Sequence, residues 1–236
     1  MNKIIINAVN IHSGGGEILL NQLLLSLPKE NVIIFCSKKL DLKNKKIKGI
    51  KFVKIKSNLF SRFISELTIY IKSKQKDTVF YFGNIPPIFK IRSYVYVFLQ
   101  NRFLVDYKIN IKEFPIYLRL KIYILRLFLK IFNNNVYKYI VQTDSMSRLV
   151  KKNLSNNVIK LPFLSDIYSK KAKEVNFNNK LYDFIYVASG YSYKNHLNLL
   201  DAWQLLADEN LYPSLLLTID SKKFPKILKI INQKIR

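Results

Sequence analysis

A single cysteine, Cys36, stands among 236 residues. That excludes a disulfide scaffold and a cysteine-rich zinc module, and it fits a reducing cytosol without proving one. Six glycines and seven prolines are too few for a collagen-like or flexible low-complexity chain. His12 and His196 are the only histidines, and no H-E-x-x-H or Cys/His ligand spacing occurs. D-x-D is missing, so a carboxylate pair gripping a metal-bound nucleotide is not indicated, and no G-x-S-x-G elbow marks a serine nucleophile. Long uncharged apolar runs are lacking too. The most hydrophobic stretch, Phe114 to Phe132, is broken by Arg119, Lys121, Arg126 and Lys130, whereas a spanning helix needs roughly 20 mostly uncharged residues. Met1-Asn2-Lys3 leads into an apolar run too short for a signal-peptide core. The expectation is a cytoplasmic protein, with a peripheral place on the cytoplasmic face of the inner membrane left open.

Negative charge is the scarcest commodity. Asp and Glu total 15 against 40 Lys and Arg, a net charge of +25. Such an excess implies a polyanionic neighbour: nucleic acid, an anionic membrane surface or phosphorylated small molecules. Heavy use of Lys, Ile, Asn, Tyr and Phe, as AT-rich coding produces, is an equally good source of the charge. Apolar residues make up 49% of the chain, enough for a buried core.

The apolar pattern alternates short strand-like runs with helical stretches. Lys3–Asn10, Asn31–Ser37, Ile50–Lys56, Thr78–Asn84, Ser93–Gln100, Tyr137–Thr143 and Val158–Phe163 read as strands. Glu17–Leu27, closed by Pro28, and Leu59–Lys72 read as helices, as does Phe114–Phe132 with Pro115 near its first turn. Asp144 is placed as the cap of a helix over Ser145–Asn153. Strand and helix in repetition argue for a parallel α/β sheet covered on both faces. Residues 165–180 are polar and aperiodic and read as a linker between a first domain, 1–164, and a second, 181–236. There the pattern restarts with strand Asp183–Ser189, helix Asn195–Ala207, strand Ser214–Asp220 and a helix from Lys222. A doubly wound domain usually needs roughly 100 residues or more, so the second unit is expected to be an incomplete Rossmann-like domain.

Ligands in an open parallel sheet bind at the carboxyl ends of the strands. Gly14, Gly15 and Gly16 follow the first strand, Gly83 follows TVFYF and Gly190 follows DFIYVAS; Gly49 alone lies elsewhere. Glycine there lets backbone N–H groups approach a ligand, and the helix N-terminus behind it favours phosphate. A tight turn with no ligand explains the same pattern. His12 reads as a polar loop residue and His196 as a first-turn helix residue, although either could serve as an acid–base group.

At about 100° per residue, Lys112, Arg119, Arg126 and Lys130 fall within roughly 40° on the third helix. That stripe suits an anionic lipid surface, and equally the solvated edge of a core-packing helix. Nucleic acid fits less well. The aromatics sit inside strand runs such as VFYF and SYVYVF, where core packing is the default, and no recognised nucleic-acid motif occurs.

Four ordered segments carry a resemblance. NIHSGGGEILLNQLL, VFLQNRFLVD, YIVQTDSMSRLVKKNL and DFIYVASGYSYKNHLNLLDAW together resemble the N-terminal half and the opening of the C-terminal half of a GT-B glycosyltransferase. The type is the retaining group-1 (family 4) enzymes of bacterial O-antigen, capsule and lipopolysaccharide synthesis. The resemblance implies a GT-B-like α/β fold and transfer of a sugar from a nucleotide-diphosphate sugar to a lipid-linked or surface-glycan acceptor. It implies retention, no metal and no cofactor beyond the nucleotide sugar as co-substrate. The donor phosphate would itself help to deprotonate the acceptor. Gly14, Gly15, Gly16, Gly190 and Lys194 would face the donor nucleotide and its phosphates, Lys194 matching the lysine of the family's Arg–Lys pair. The arginine has no counterpart, since Tyr191, Ser192 and Tyr193 occupy that loop. Gln100, Asn101 and Arg102 stand on the acceptor side, where many relatives carry a histidine. Lys112, Arg119, Arg126 and Lys130 would meet the membrane surface. The family's E-x7-E element falls beyond residue 236, so the chain is expected to stop inside its donor domain. A non-catalytic truncated remnant of such an enzyme is the alternative, with a basic nucleic-acid-binding protein behind it.

Overall fold

Ile4–Ala8 (β1) is apolar but for Asn7 because both faces of the sheet around it are covered. Its neighbours are Val32–Ser37 (β2), Ile50–Ile55 (β3), Thr78–Phe82 (β4), Tyr94–Phe98 (β5), Lys138–Val141 (β6) and Val158–Lys160 (β7). They form a seven-stranded sheet in the order β3-β2-β1-β4-β5-β6-β7, with every pair parallel. The computed structural model describes residues 2–12, 14–28, 30–40, 49–56, 58–112, 114–162 and 180–235. The chain divides into two compact units, Met1–Tyr168 and Ser169–Arg236. Of the expected linker, 165–180, all but Lys180 lies outside the described residues, as does Phe163.

Alternation along the strands of the first unit separates two cores. Ile5, Val79, Val95, Val97 and Tyr139 point to one side, where they meet Ile69, Leu129, Met146 and Val150. These come from helices Leu59–Lys72 (α2), Ile116–Ile131 (α3) and Asp144–Asn153 (α4). Ile6, Ala8, Phe80, Phe82, Phe98 and Ile140 point to the other side, onto Leu20 and Leu24 of helix Gly15–Ser26 (α1). Phe80, Phe82 and Phe98 form a ring cluster with centroids 5.0–6.3 Å apart. Asp77 joins the amino ends of the strands: its carboxylate accepts from the N–H groups of Lys3 and Lys74, each at 2.8 Å.

Local chemistry moves two of the expected helix starts. α3 begins at Ile116 with Pro115 as its extended N-cap, because the residue before a proline is driven out of the helical region. Lys112 therefore lies outside the helix. α4 begins at Asp144, and its cap is Thr143, whose side chain accepts from the N–H of Met146; Asp144 is a first-turn residue instead.

The second unit pairs Phe184–Tyr186 (β8) with Leu215–Leu217 (β9) in parallel. Helices His196–Asp208 (α5) and Pro225–Ile235 (α6) accompany them. Asp183 and Ser214 clamp the strand starts, with Ser214 N–H donating to the Asp183 carboxylate at 2.8 Å. The Trp203 indole donates to the carbonyl of Pro213 at 2.7 Å. The parallel α/β architecture expected from the sequence is the architecture observed.

Candidate functional site

The strand order reverses between β1 and β4, the place in an open parallel sheet where ligands bind at the carboxyl ends of the strands. Gly14 caps α1 with φ 72° and ψ −150° and no side-chain hydrogen bond, a backbone conformation essentially restricted to glycine. Among the described residues beyond the chain neighbours and the helix's own backbone, no heavy atom lies within 4 Å of where a Cβ on Gly14 or Gly15 would stand. Gly16 is different: its missing Cβ would lie 3.1 Å from Ile11 Cδ1. Among the described residues the N-terminus of α1 thus carries no side-chain cap and has open space above it, an arrangement that accepts an anion.

Gly83 lets the β1 and β4 loops approach, since a Cβ there would lie 3.2 Å from that of Asn10. Asn84 follows at φ 68°. Its side-chain oxygen accepts from the N–H groups of Gln100 at 2.6 Å and Asn101 at 2.9 Å, tying the β4 and β5 loops together. The three acceptor-side candidates are therefore adjacent but unequal. Asn101 turns its side chain onto the N–H of Phe103. Arg102 is paired with Asp106 at 2.8 Å, which, with the N–H of Lys108, holds that carboxyl below its ordinary range against the opposing effect of desolvation. Gln100 keeps a half-buried side chain beside them.

At the same end of the sheet His12 stands beside two cations, a grouping that is not legible in the sequence. His12 follows β1, Lys39 follows β2 and Arg62 lies on α2. Burial lowers the His12 pKa, and the charges of Arg62 and Lys39 lower it further. His12 Nδ1 and Arg62 Nε are buried without a hydrogen-bond partner among the described residues. Only the sheet brings these residues together, because nothing in their spacing along the chain connects them.

In the second unit, Ser192–Lys194 forms a single 3-10 turn leading to Asn195, which is left-handed at φ 57° and caps α5. Lys194 sets its Nζ over the Tyr193 ring, 5.6 Å from the centroid. Its carbonyl accepts from the Tyr186 hydroxyl at 2.6 Å. Tyr191 and Tyr193 stack with their planes 8° apart. His196, 2% exposed, packs against Tyr186 and leaves Nε2 unpartnered; burial and the Lys194 charge lower its pKa. A groove of about 310 Å³ is lined by Tyr186, Lys194, Asn195 and Asn198. Gly190 has a packing explanation: a Cβ there would lie 2.7 Å from Phe224 Cβ and Cγ and 2.8 Å from Ile227 Cγ2. A larger apolar groove of about 490 Å³ runs between α5 and α6, past Trp203, Leu217 and Ile231, away from Lys194.

Within the cationic stripe Arg126 is engaged by the protein itself, while Lys112 and Lys130 are exposed. Arg126 donates from Nε to the carbonyl of Phe103 at 2.8 Å and from Nη2 to that of Asp106 at 2.9 Å, so it fastens the turn that carries Arg102. Lys130 sits over the Tyr107 ring at 4.9 Å, and Arg119 buries its Nε. Lys112 precedes the helix altogether.

No family model matches the chain, and no curated protein sequence does. Among solved structures it is similar to Anabaena Alr3699/HepE in complex with UDP, with a TM-score of 0.57 and 13% sequence identity over the whole of this chain. The chain spans 65% of the length of that one. At this identity the likeness is one of fold: the chain has the α/β architecture that its strand and helix pattern led us to expect, and the GT-B-like fold that the resemblance of its four segments implied.

Proposed function

We propose that this chain belongs to an enzyme that moves a sugar from a nucleotide-diphosphate sugar to a lipid-linked or surface-glycan acceptor, with retention and without a metal. The observation that carries the reading is the bare N-terminus of α1, with Gly14 and Gly15 open to a ligand where the strand order reverses. The UDP bound to Alr3699/HepE, which shares the fold, supports a nucleoside diphosphate as the ligand class. In the second unit Lys194, beside the start of α5, supplies a cation for the diphosphate. A departing nucleoside diphosphate gains negative charge as the glycosidic bond breaks, and a fixed cation stabilises that state more than the intact donor. Gly190 would bring its backbone to the same phosphates. Gln100, Asn101 and Arg102 stand on the acceptor side, and His12, Lys39 and Arg62 suit an acceptor that carries phosphate. The protein would work peripherally on the cytoplasmic face of an anionic membrane; among the described residues no helix is long and apolar enough to cross one.

Titration of the full chain with UDP, GDP and ADP, followed calorimetrically, tests the donor half. Lys194→Ala is expected to weaken binding by about tenfold to a hundredfold, the worth of a hydrogen bond to a charged group. A folded chain that binds none of the three would defeat the reading. It would favour a second one, a non-catalytic acceptor-binding protein.

A further inference from the structure

Helix α3 is apolar on two opposite sides. Leu118, Ile122, Leu125 and Leu129 face inward, with Ile122 and Leu129 fully covered. On the far side Ile116, Leu120, Ile124, Leu127 and Ile131 are each 56–76% exposed. At about 100° per residue these five fall within about 80° of one another. Tyr123 borders the stripe on one side and Tyr117 on the other, and both rings are exposed. Beyond Tyr123 stand Arg119 and Lys130; beyond Tyr117 stands Lys121. No acidic residue occurs anywhere in the helix.

Helix α2 lies on the same side of the sheet, since Ile69 and Leu129 share one core. It too turns large apolar side chains outward: Leu59, Phe60 and Ile71 are 69–83% exposed. Its one acid, Glu66, is directed inward onto Asn7 and Tyr81. The opposite layer is unlike this, for α1 exposes only Ile18 and Leu25 among its large hydrophobics.

We propose that the outer faces of α2 and α3 form a lipid-insertion surface, by which the first unit sits in the headgroup region of an anionic bilayer through apolar contact. This deepens the membrane placement in the reading above, but it rests on different residues and a different force from the cationic stripe. An interfacial helix has an apolar stripe with basic shoulders, and tyrosine favours the boundary between headgroup and acyl chain. Both are present on α3 in the required angular order. The absence of acid on the face and the net charge of +25 match anionic lipid. A second copy of the chain is a poor occupant, because a two-fold contact through this face would bring Lys121, Lys130 and Arg119 against their own equivalents.

The test is co-sedimentation of the full chain with vesicles of equimolar phosphatidylcholine and phosphatidylglycerol. Leu120→Ser with Leu127→Ser removes two exposed side chains that support no core, and the partition coefficient is expected to fall by about tenfold or more. Phe60→Ser with Ile71→Ser is expected to act in the same direction. Molar salt should weaken wild-type binding without abolishing it, whereas purely electrostatic attachment would be lost. Failure of the wild type to sediment, or unchanged partition of both double variants, overturns the proposal. A wild type that self-associates without binding vesicles overturns it in favour of a copy–copy contact. Nucleoside diphosphate titration of the same variants should match wild type, so that failure here is separable from failure of the transferase reading.

Discussion

The two units use the same local grammar and reach different degrees of burial. In the first, seven parallel strands with helices on both sides cover Ile5, Ile6, Ile34, Phe82 and Phe98 completely. In the second, two strands and two helices leave Leu200 and Ile231 as the only buried hydrophobics among the described residues, while Ile185 and Val187 stay 60% and 75% exposed. A strand–loop–helix repeat therefore specifies direction and pairing, and the number of strands decides whether the apolar side chains leave water. The functional consequence follows the same division. The loops over the first sheet are fixed by a deep core and by the Asn84 bonds, whereas the Lys194 turn rests on a thin one.

The most severe test of this contrast is a cavity in each unit. Phe82→Ala removes a ring with no exposed surface that packs against Phe80 and Phe98, and should cost about 3–5 kcal/mol of unfolding free energy. Leu217→Ala, at a half-buried site in the second sheet, should cost distinctly less. Urea denaturation followed by tryptophan fluorescence for the second unit and by far-ultraviolet dichroism for the whole chain separates the two. Equal losses would mean that the second unit is as well packed as the first, and the contrast would fall.

Charge gives the next largest effect, with opposite signs in the two units. Burial raises the Glu66 carboxyl from 4.5 to about 7, outweighing the hydrogen bonds from Tyr81, the Ile88 N–H and Asn7. The stability tied to this group is complete below pH 4.5 and is lost as pH rises through 7. The gap corresponds to about 3 kcal/mol. Asp183 in the second unit is lowered by the Ser214 N–H and hydroxyl, so its contribution is present at neutral pH and lost as pH falls. Glu66→Gln is expected to flatten the decline in stability of the first unit between pH 5 and pH 8. Parallel pH profiles for wild type and variant would show that Glu66 does not titrate in that window.

Glycines sharpen the comparison further. Gly190→Ala would place a Cβ within 2.8 Å of Phe224 and Ile227, an overpacking worth about 1–3 kcal/mol. Gly15→Ala meets nothing within 4 Å and should leave stability almost unchanged. If Gly15 lines a ligand cradle, its effect should instead appear in nucleoside diphosphate titration. A stability loss at Gly15 equal to that at Gly190 would reduce both to packing positions.

Much of this architecture is legible in the sequence because periodicity is a local property that burial enforces. Every strand of both sheets lies inside the run that indicated it, although β7, β8 and β9 are each only three residues long. The site is less legible. Gly14 and Gly15 were visible, since glycine at a strand end has few reasons to persist there. His12 was visible as a possible acid–base group, but its grouping with Lys39 and Arg62 was not, because three separate elements bring them together. The stripe of Lys112, Arg119, Arg126 and Lys130 is less regular in the structure than its angular count, for a related reason. An angular count assumes that the helix includes every member and that a cation on its edge faces water, but Pro115 excludes Lys112 and two carbonyls capture Arg126.

The start of α4 gives the smallest of these effects and one with a sharp readout. Sequence reading assigned the cap to Asp144, whose charge suits the first turn of a helix. The structure gives the cap to Thr143, with its hydroxyl 3.3 Å from the Met146 N–H, and pairs Asp144 with Lys160 of β7 at 2.8 Å. A cap hydrogen bond satisfies a helix-end donor that water reaches poorly, while an exposed ion pair is screened and costs side-chain freedom. Thr143→Ala should therefore lower stability by about 1 kcal/mol, and Asp144→Ala should lower it less. Thr143→Ser should restore most of the loss by keeping the hydroxyl. The reverse ranking, with Asp144→Ala the more damaging, would return the cap to Asp144 and make charge rather than hydrogen-bond geometry the force that sets where this helix begins.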